Sequence, residues 1–225
     1  MSISLSIYDL FANLLPGLLY LFAINEILKS LGGKYMELND ATFNAGSLLI
    51  LALGYILGHI FNSFTYRGWY MLLYRYRKEE GRERDHAKSD GGKALHSLQK
   101  LYPDIKMRFY PRDADLLFNA IQIMNKELAD RIEVLRANAI MMRNISFGLF
   151  LLAVAELINF VGQGFLFEYL GIGVVCLFGS AISLFQTSKY YEWFYKDVFR
   201  TSIHYGDSLQ AVVNRIRKPS TPKSK

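Results

Sequence analysis

The sequence predicts an all-α integral membrane fold. Four transmembrane helices form two hairpins, a helical cytoplasmic insert lies between the second and third spans, and a cytoplasmic helix follows the fourth. Three observations carry this expectation. The 225-residue chain is 52% hydrophobic with a mean hydropathy of +0.13, which is high for a soluble domain of this length. Four windows, Tyr8–Leu31, Gly46–Tyr66, Ile145–Phe165 and Glu168–Ser188, are each long and apolar enough to cross about 30 Å of hydrocarbon. The cationic residues are also partitioned. Lys and Arg number 16 from Arg67 to Arg143 and eight from Lys189 onward, whereas Leu31–Ala45 holds one and Gly162–Phe167 none.

The net charge of +6 therefore resides on segments that the positive-inside rule assigns to the cytoplasm. With four spans both termini fall on that side, as expected of a multi-pass protein of the cell inner membrane. The first window has no basic leader or small-residue cleavage site and reads as a retained span. Cys176 is the single cysteine, so neither an intrachain disulfide nor a cysteine-based zinc site can form. The expected segments are 1–66 (first hairpin), 67–144 (insert), 145–188 (second hairpin) and 189–225 (helical tail ending in a disordered basic stretch).

Within the insert, "EEGRERDHAKSDGG" reads as a solvated loop, followed by a short helix near Lys93–Tyr102. Asp113 is the expected N-cap of the next helix. From there Leu117, Ile121, Met124, Leu128, Ile132, Leu135, Ala139 and Met142 recur in steps of three and four. The stripe predicts one uninterrupted helix running through Arg143 and Asn144 into the third span. It needs a partner, either the short helix or a neighbouring subunit. Lys126–Asp130 and Glu127–Arg131 sit at i,i+4 spacing on the opposite face. The tail helix is expected to end near Gly206, before an amphipathic segment.

Polar residues inside the spans are the candidate functional positions. Glu156 interrupts "FLLAVAELINF". His59 is expected within about 6 Å of the same depth, at 1.5 Å of rise per residue, with Asn62 and Asn159 one turn away from each. A charge in hydrocarbon is costly and must find a partner or water. Either these four residues line a pore or a subunit contact, or they hydrogen-bond as helix glue. Pro16 and Gly17 in the first span are a candidate hinge, with a static bend as the plain alternative. Gly54 and Gly58 form a small-xxx-small pair suited to close helix packing.

Outside the spans, Asp130, Arg131, Arg136 and Arg143 are placed to couple an insert-borne signal to the third span. Trp69, Tyr74 and Trp193 read as interface anchors, since aromatic and basic residues cluster where lipid headgroups would lie. Stacking on single-stranded nucleic acid is the competing reading, and direct nucleic-acid binding is not expected. No HExxH, GxSxG, Walker or EF-hand pattern occurs. Arg82–His86 and Arg200–His204 miss the Arg-x4–6-His spacing of HEPN ribonucleases. Asp9, His59, Asn62 and His204 are the only polar set that an embedded hydrolase could use. No enzyme activity, cofactor or metal is expected. The expected partners are the lipid bilayer, further copies of the chain, and a cytoplasmic protein or nucleotide signal.

"SIYDLFANLLPGLLYLF" and "RIEVLRANAIMMRNISFGLFLL" resemble small four-span bacterial membrane proteins of phage-defence loci, including those beside RNA-targeting CRISPR effectors. Tyr8-Asp9, Leu15-Pro16-Gly17 and Arg143-Asn144 carry the likeness. It implies a membrane component of antiviral defence that damages or depolarises the membrane, or that modulates a cytoplasmic nuclease; the layout itself leads to a signal-gated pore, with a non-conducting scaffold for a cytoplasmic partner as the alternative. The likeness supplies no catalytic residues.

Overall fold

The computed structural model describes residues 7–33, 45–70, 90–101 and 111–217, and all of its regular elements are helical. Helices α1 (Ile7–Ser30) and α2 (Ala45–Phe64) precede a π-helical stretch, Thr65–Tyr70. Then come α3 (Asp90–Leu101), α4 (Pro111–Met124), α5 (Lys126–Gly162) and α6 (Phe167–Arg217). Helices α1, α2, α5 and α6 are each long and apolar enough to cross a membrane. The chain divides into two compact units, Met1–Tyr76 with Ala137–Lys189, and Arg77–Arg136 with Tyr190–Lys225. Two helices belong to both: α5, of 37 residues, and α6, of 51, run unbroken through the unit boundaries. Arg67–Tyr70 and Ala137–Asn144, within the segment 67–144, fall in the first unit.

In the first unit, α1 and α2 meet backbone to backbone. A Cβ built on Gly17 would lie 1.7 Å from the Gly54 carbonyl oxygen, and one on Gly58 would lie 2.0 Å from that of Asn13. Glycine is required here by close approach, not by backbone angle. Helix α1 continues through the buried Pro16, and Gly17 is clamped against α2. Helix α5 joins the pair where Leu19 packs over Gly148. Helix α6 joins through Gly179 against Leu149 and Gly173 against Glu156. The third span ends at Gly162 rather than Phe165: Gln163 and Phe165 N–H groups bond back to Asn159 and Phe160, and Gly164 and Phe165 take positive φ.

The second unit has its own core. Ala94, Leu95 and Leu98 of α3 meet Leu117, Phe118 and Ile121 of α4, Ala129 and Ile132 of α5, and Phe194, Val198 and Phe199 of α6. The apolar stripe therefore finds two partners in its own chain, the short helix and the tail. Burial of these aliphatic and aromatic side chains is the main stabilising term.

Three local expectations are overturned. The stripe helix is interrupted at Asn125, where the side-chain Oδ1 accepts the Leu128 N–H at 3.1 Å in place of a main-chain carbonyl. A short polar side chain that competes with the backbone in this way starts α5 as its N-cap. Helix α4 begins at Pro111, two residues before Asp113, because proline's fixed φ and missing N–H suit a first helical position. Helix α6 runs through Gly206 to Arg217. One interior glycine costs a helix only about 1 kcal/mol, too little to end it.

Candidate functional site

Two polar clusters lie inside the first unit, at different levels along α5. The first is built on α2, the π-helical stretch and α5. Widening the helix at Thr65–Tyr70 re-aims its side chains, as π turns do. Thr65 is fully buried, its hydroxyl 2.5 Å from Asn144 Oδ1 and 3.0 Å from the Asn62 carbonyl oxygen. Asn62 Oδ1 in turn accepts from the Arg143 guanidinium at 2.5 Å and from Asn144 Nδ2 at 3.3 Å. Tyr20 of α1 donates to the Asn144 main-chain carbonyl at 2.7 Å. Arg143 is only 3% exposed, and its guanidinium carbon stands 5.2 Å from the centre of the Tyr66 ring, within cation–π range.

Next to this cluster α5 and α6 are fastened by a reciprocal serine pair. Ser146 donates to the Ser180 carbonyl and Ser180 to the Ser146 carbonyl, each at 2.8 Å. Trp69 donates its indole N–H to Ser146 at 3.2 Å and its ring lies 4.6 Å from that of Phe150. Trp69 is thus tied into the bundle, beyond the interface-anchor role expected of it. Trp193 is 44% exposed and meets Tyr190 edge to face at 5.3 Å. Tyr74 lies outside the described residues.

The second cluster surrounds Glu156. Asn159, 6% exposed, lies one turn along α5 from Glu156, whose Oε2 is buried without a hydrogen-bond partner. The Ser30 hydroxyl sits 2.5 Å from Asn159 Oδ1 and 2.6 Å from the Glu26 carbonyl oxygen, so its one proton serves either. Across from them Gly173 of α6 leaves room for the Glu156 side chain. Ser30 and Glu26 were missed in the sequence. They fall near the end of the first span, where polar residues attract no notice.

The single polar line expected of Glu156, His59, Asn62 and Asn159 does not form. Asn62 and Asn144 fix the register of the antiparallel α2 and α5. With Glu156 twelve residues beyond Asn144 and His59 three before Asn62, those two differ by roughly 14 Å in level, not 6 Å. His59 faces outward and meets Tyr55 edge to face at 4.6 Å. The four coupling residues are likewise not one site. Asp130 and Arg131 are exposed, with Arg131 paired to Glu127 at 2.9 Å. Arg136 pairs with Asp115 at 3.3 Å within the second unit. Only Arg143 is buried in the first.

Of the polar set Asp9, His59, Asn62 and His204, Asn62 is engaged as above, His59 and His204 are exposed and belong to different units, and the Asp9 side chain lies outside the described residues. Among the described residues no group of three or more His, Cys, Asp or Glu could hold a metal ion. No family model, curated protein or solved structure matches the chain.

Proposed function

We propose that this chain is an oligomeric, non-enzymatic multi-pass protein of a bacterial inner membrane in which a cytoplasmic helical unit receives a signal and the spanning bundle responds by opening a pore. The observation that carries the reading is helix α5. It is continuous from the second unit, where Ile132 enters the core and Arg136 holds Asp115, into the first, where Arg143 and Asn144 knot α2, the π-helical stretch and α1 together. A protein or nucleotide that biases the packing of α5 in the second unit acts on one continuous helix shared with the bundle. That is the physical basis for coupling two sites. Both termini and the second unit are on the cytoplasmic side, and the role is antiviral defence, as the resemblance implies.

The scaffold alternative has its own support. The Glu156 cluster joins α1, α5 and α6, and polar contacts of this kind hold a bundle together without conducting. Ion flux in proteoliposomes separates the two. The pore reading predicts that wild-type protein conducts and that Glu156→Gln changes conductance by severalfold. Equal, background flux in both proteins, with insertion intact, contradicts the pore and leaves the scaffold.

A further inference from the structure

Helix α2 turns one face to α1 and leaves another uncovered. Gly54 and Gly58 lie against α1, and on the side nearly opposite run Leu49, Ala52, Ile56, His59 and Ser63, every one of them exposed. Their spacing is three, four, three, four, which suits the seam of a left-handed helix bundle. Both polar residues that α2 exposes between Leu48 and Phe64, His59 and Ser63, fall on this seam. His59 lies five residues inside the end of α2 at Phe64, about 7.5 Å deeper at 1.5 Å per residue. Its partner among the described residues is the edge-on Tyr55 ring, which satisfies neither imidazole nitrogen.

An imidazole facing hydrocarbon at that depth is unfavourable, and intramembrane polar groups face protein or water instead. We infer that the α2 seam is covered by the same seam of other copies, the α2 helices packing in parallel around a common axis with the His59 rings meeting on it. Two arguments select a second copy over an unrelated partner. Copies inserted the same way are related by an axis along the membrane normal, which brings each residue to the same level as its mates. A neutral imidazole also carries one N–H donor and one acceptor nitrogen, so a ring of His59 side chains satisfies itself head to tail. Ala52 and Ser63, one on each side of Ile56–His59, are small enough to let the helices approach.

This inference rests on the oligomeric reading above and assigns its interface. The test is disulfide crosslinking of the full chain in membranes, in a Cys176→Ala background, with single cysteines placed along α2. Cysteines at Ala52, Ile56 and Ser63 are expected to crosslink several-fold more than those at Leu51 and Phe64, which are exposed but on average roughly 100–120° away around the helix. His59→Leu is expected to shift the population toward smaller assemblies in light scattering, and His59→Gln, which keeps a donor and an acceptor, to restore it. Uniform or off-seam crosslinking by a protein that is oligomeric in light scattering overturns the seam alone. A monomeric protein overturns both the seam and the oligomeric reading. Crosslinks on the seam by a dimer keep the seam and remove the pore.

Discussion

The Arg143 guanidinium donates to Asn62 Oδ1 at 2.5 Å while its carbon lies 5.2 Å from the Tyr66 ring centre. This buried cation therefore bridges α5 to the junction between α2 and its π-helical continuation. Arg136, one heptad earlier on nearly the same face of α5, makes a half-exposed pair with Asp115.

The two arginines should differ when replaced. Arg136→Ala removes a pair whose side chains are 42% and 44% exposed, and such pairs contribute at most about 1 kcal/mol. Arg143→Ala removes a buried charged donor from the part-buried Asn62 amide, a loss on the order of 1.5–3 kcal/mol. Thermal unfolding in detergent should show a small shift for the first and a clear drop for the second. The double variant should insert normally and lose its response to the signal. A double variant with unchanged activity contradicts coupling through α5.

Close packing between α1 and α2 predicts a steep difference among glycines. Gly17→Ala drives a methyl into the Gly54 main chain, which cannot rotate away, whereas nothing lies within 4 Å of a Cβ at Gly171. Overpacking of this kind costs about 1–3 kcal/mol or more. Gly17→Ala should lower the unfolding midpoint by several degrees and Gly171→Ala should leave it unchanged or slightly raised, as measured by scanning fluorimetry.

Asn125 supplies the third comparison. Asn125→Ala removes the acceptor of the Leu128 N–H and should destabilise the second unit by about 0.5–2 kcal/mol, while Asn125→Asp should retain most of the cap. Equal midpoints for both variants in chemical denaturation would show that the side chain does not set the start of α5.

Much of the architecture was legible in the sequence because hydropathy and helical periodicity act over long windows. The four long apolar helices, the short helix near Lys93 and the stripe from Leu117 to Met142 all follow from that. What was illegible depends on single contacts. Asn125 interrupts a stripe whose period continues through it, since one side-chain acceptor outcompetes one backbone bond. Gly206 looks like a stop, yet its flanks carry the helix past it. For the candidate site, Glu156 and Asn62 stand out as polar residues in apolar windows. Which partner each finds depends on helix register, and register is set by Thr65, Asn144 and Tyr20, whose types are unremarkable in sequence. Placing His59 and Glu156 together assumed equal span lengths. The Asn62–Asn144 contact sets their levels about 14 Å apart instead.

The decisive observation is the number of copies in the detergent-purified full chain, by light scattering with the micelle contribution subtracted. Assembly into a closed ring of roughly four or more copies is predicted, because a pore between subunits needs several copies around one axis. A monomer or a simple dimer contradicts the pore and leaves the Glu156 cluster as the glue of a non-conducting bundle.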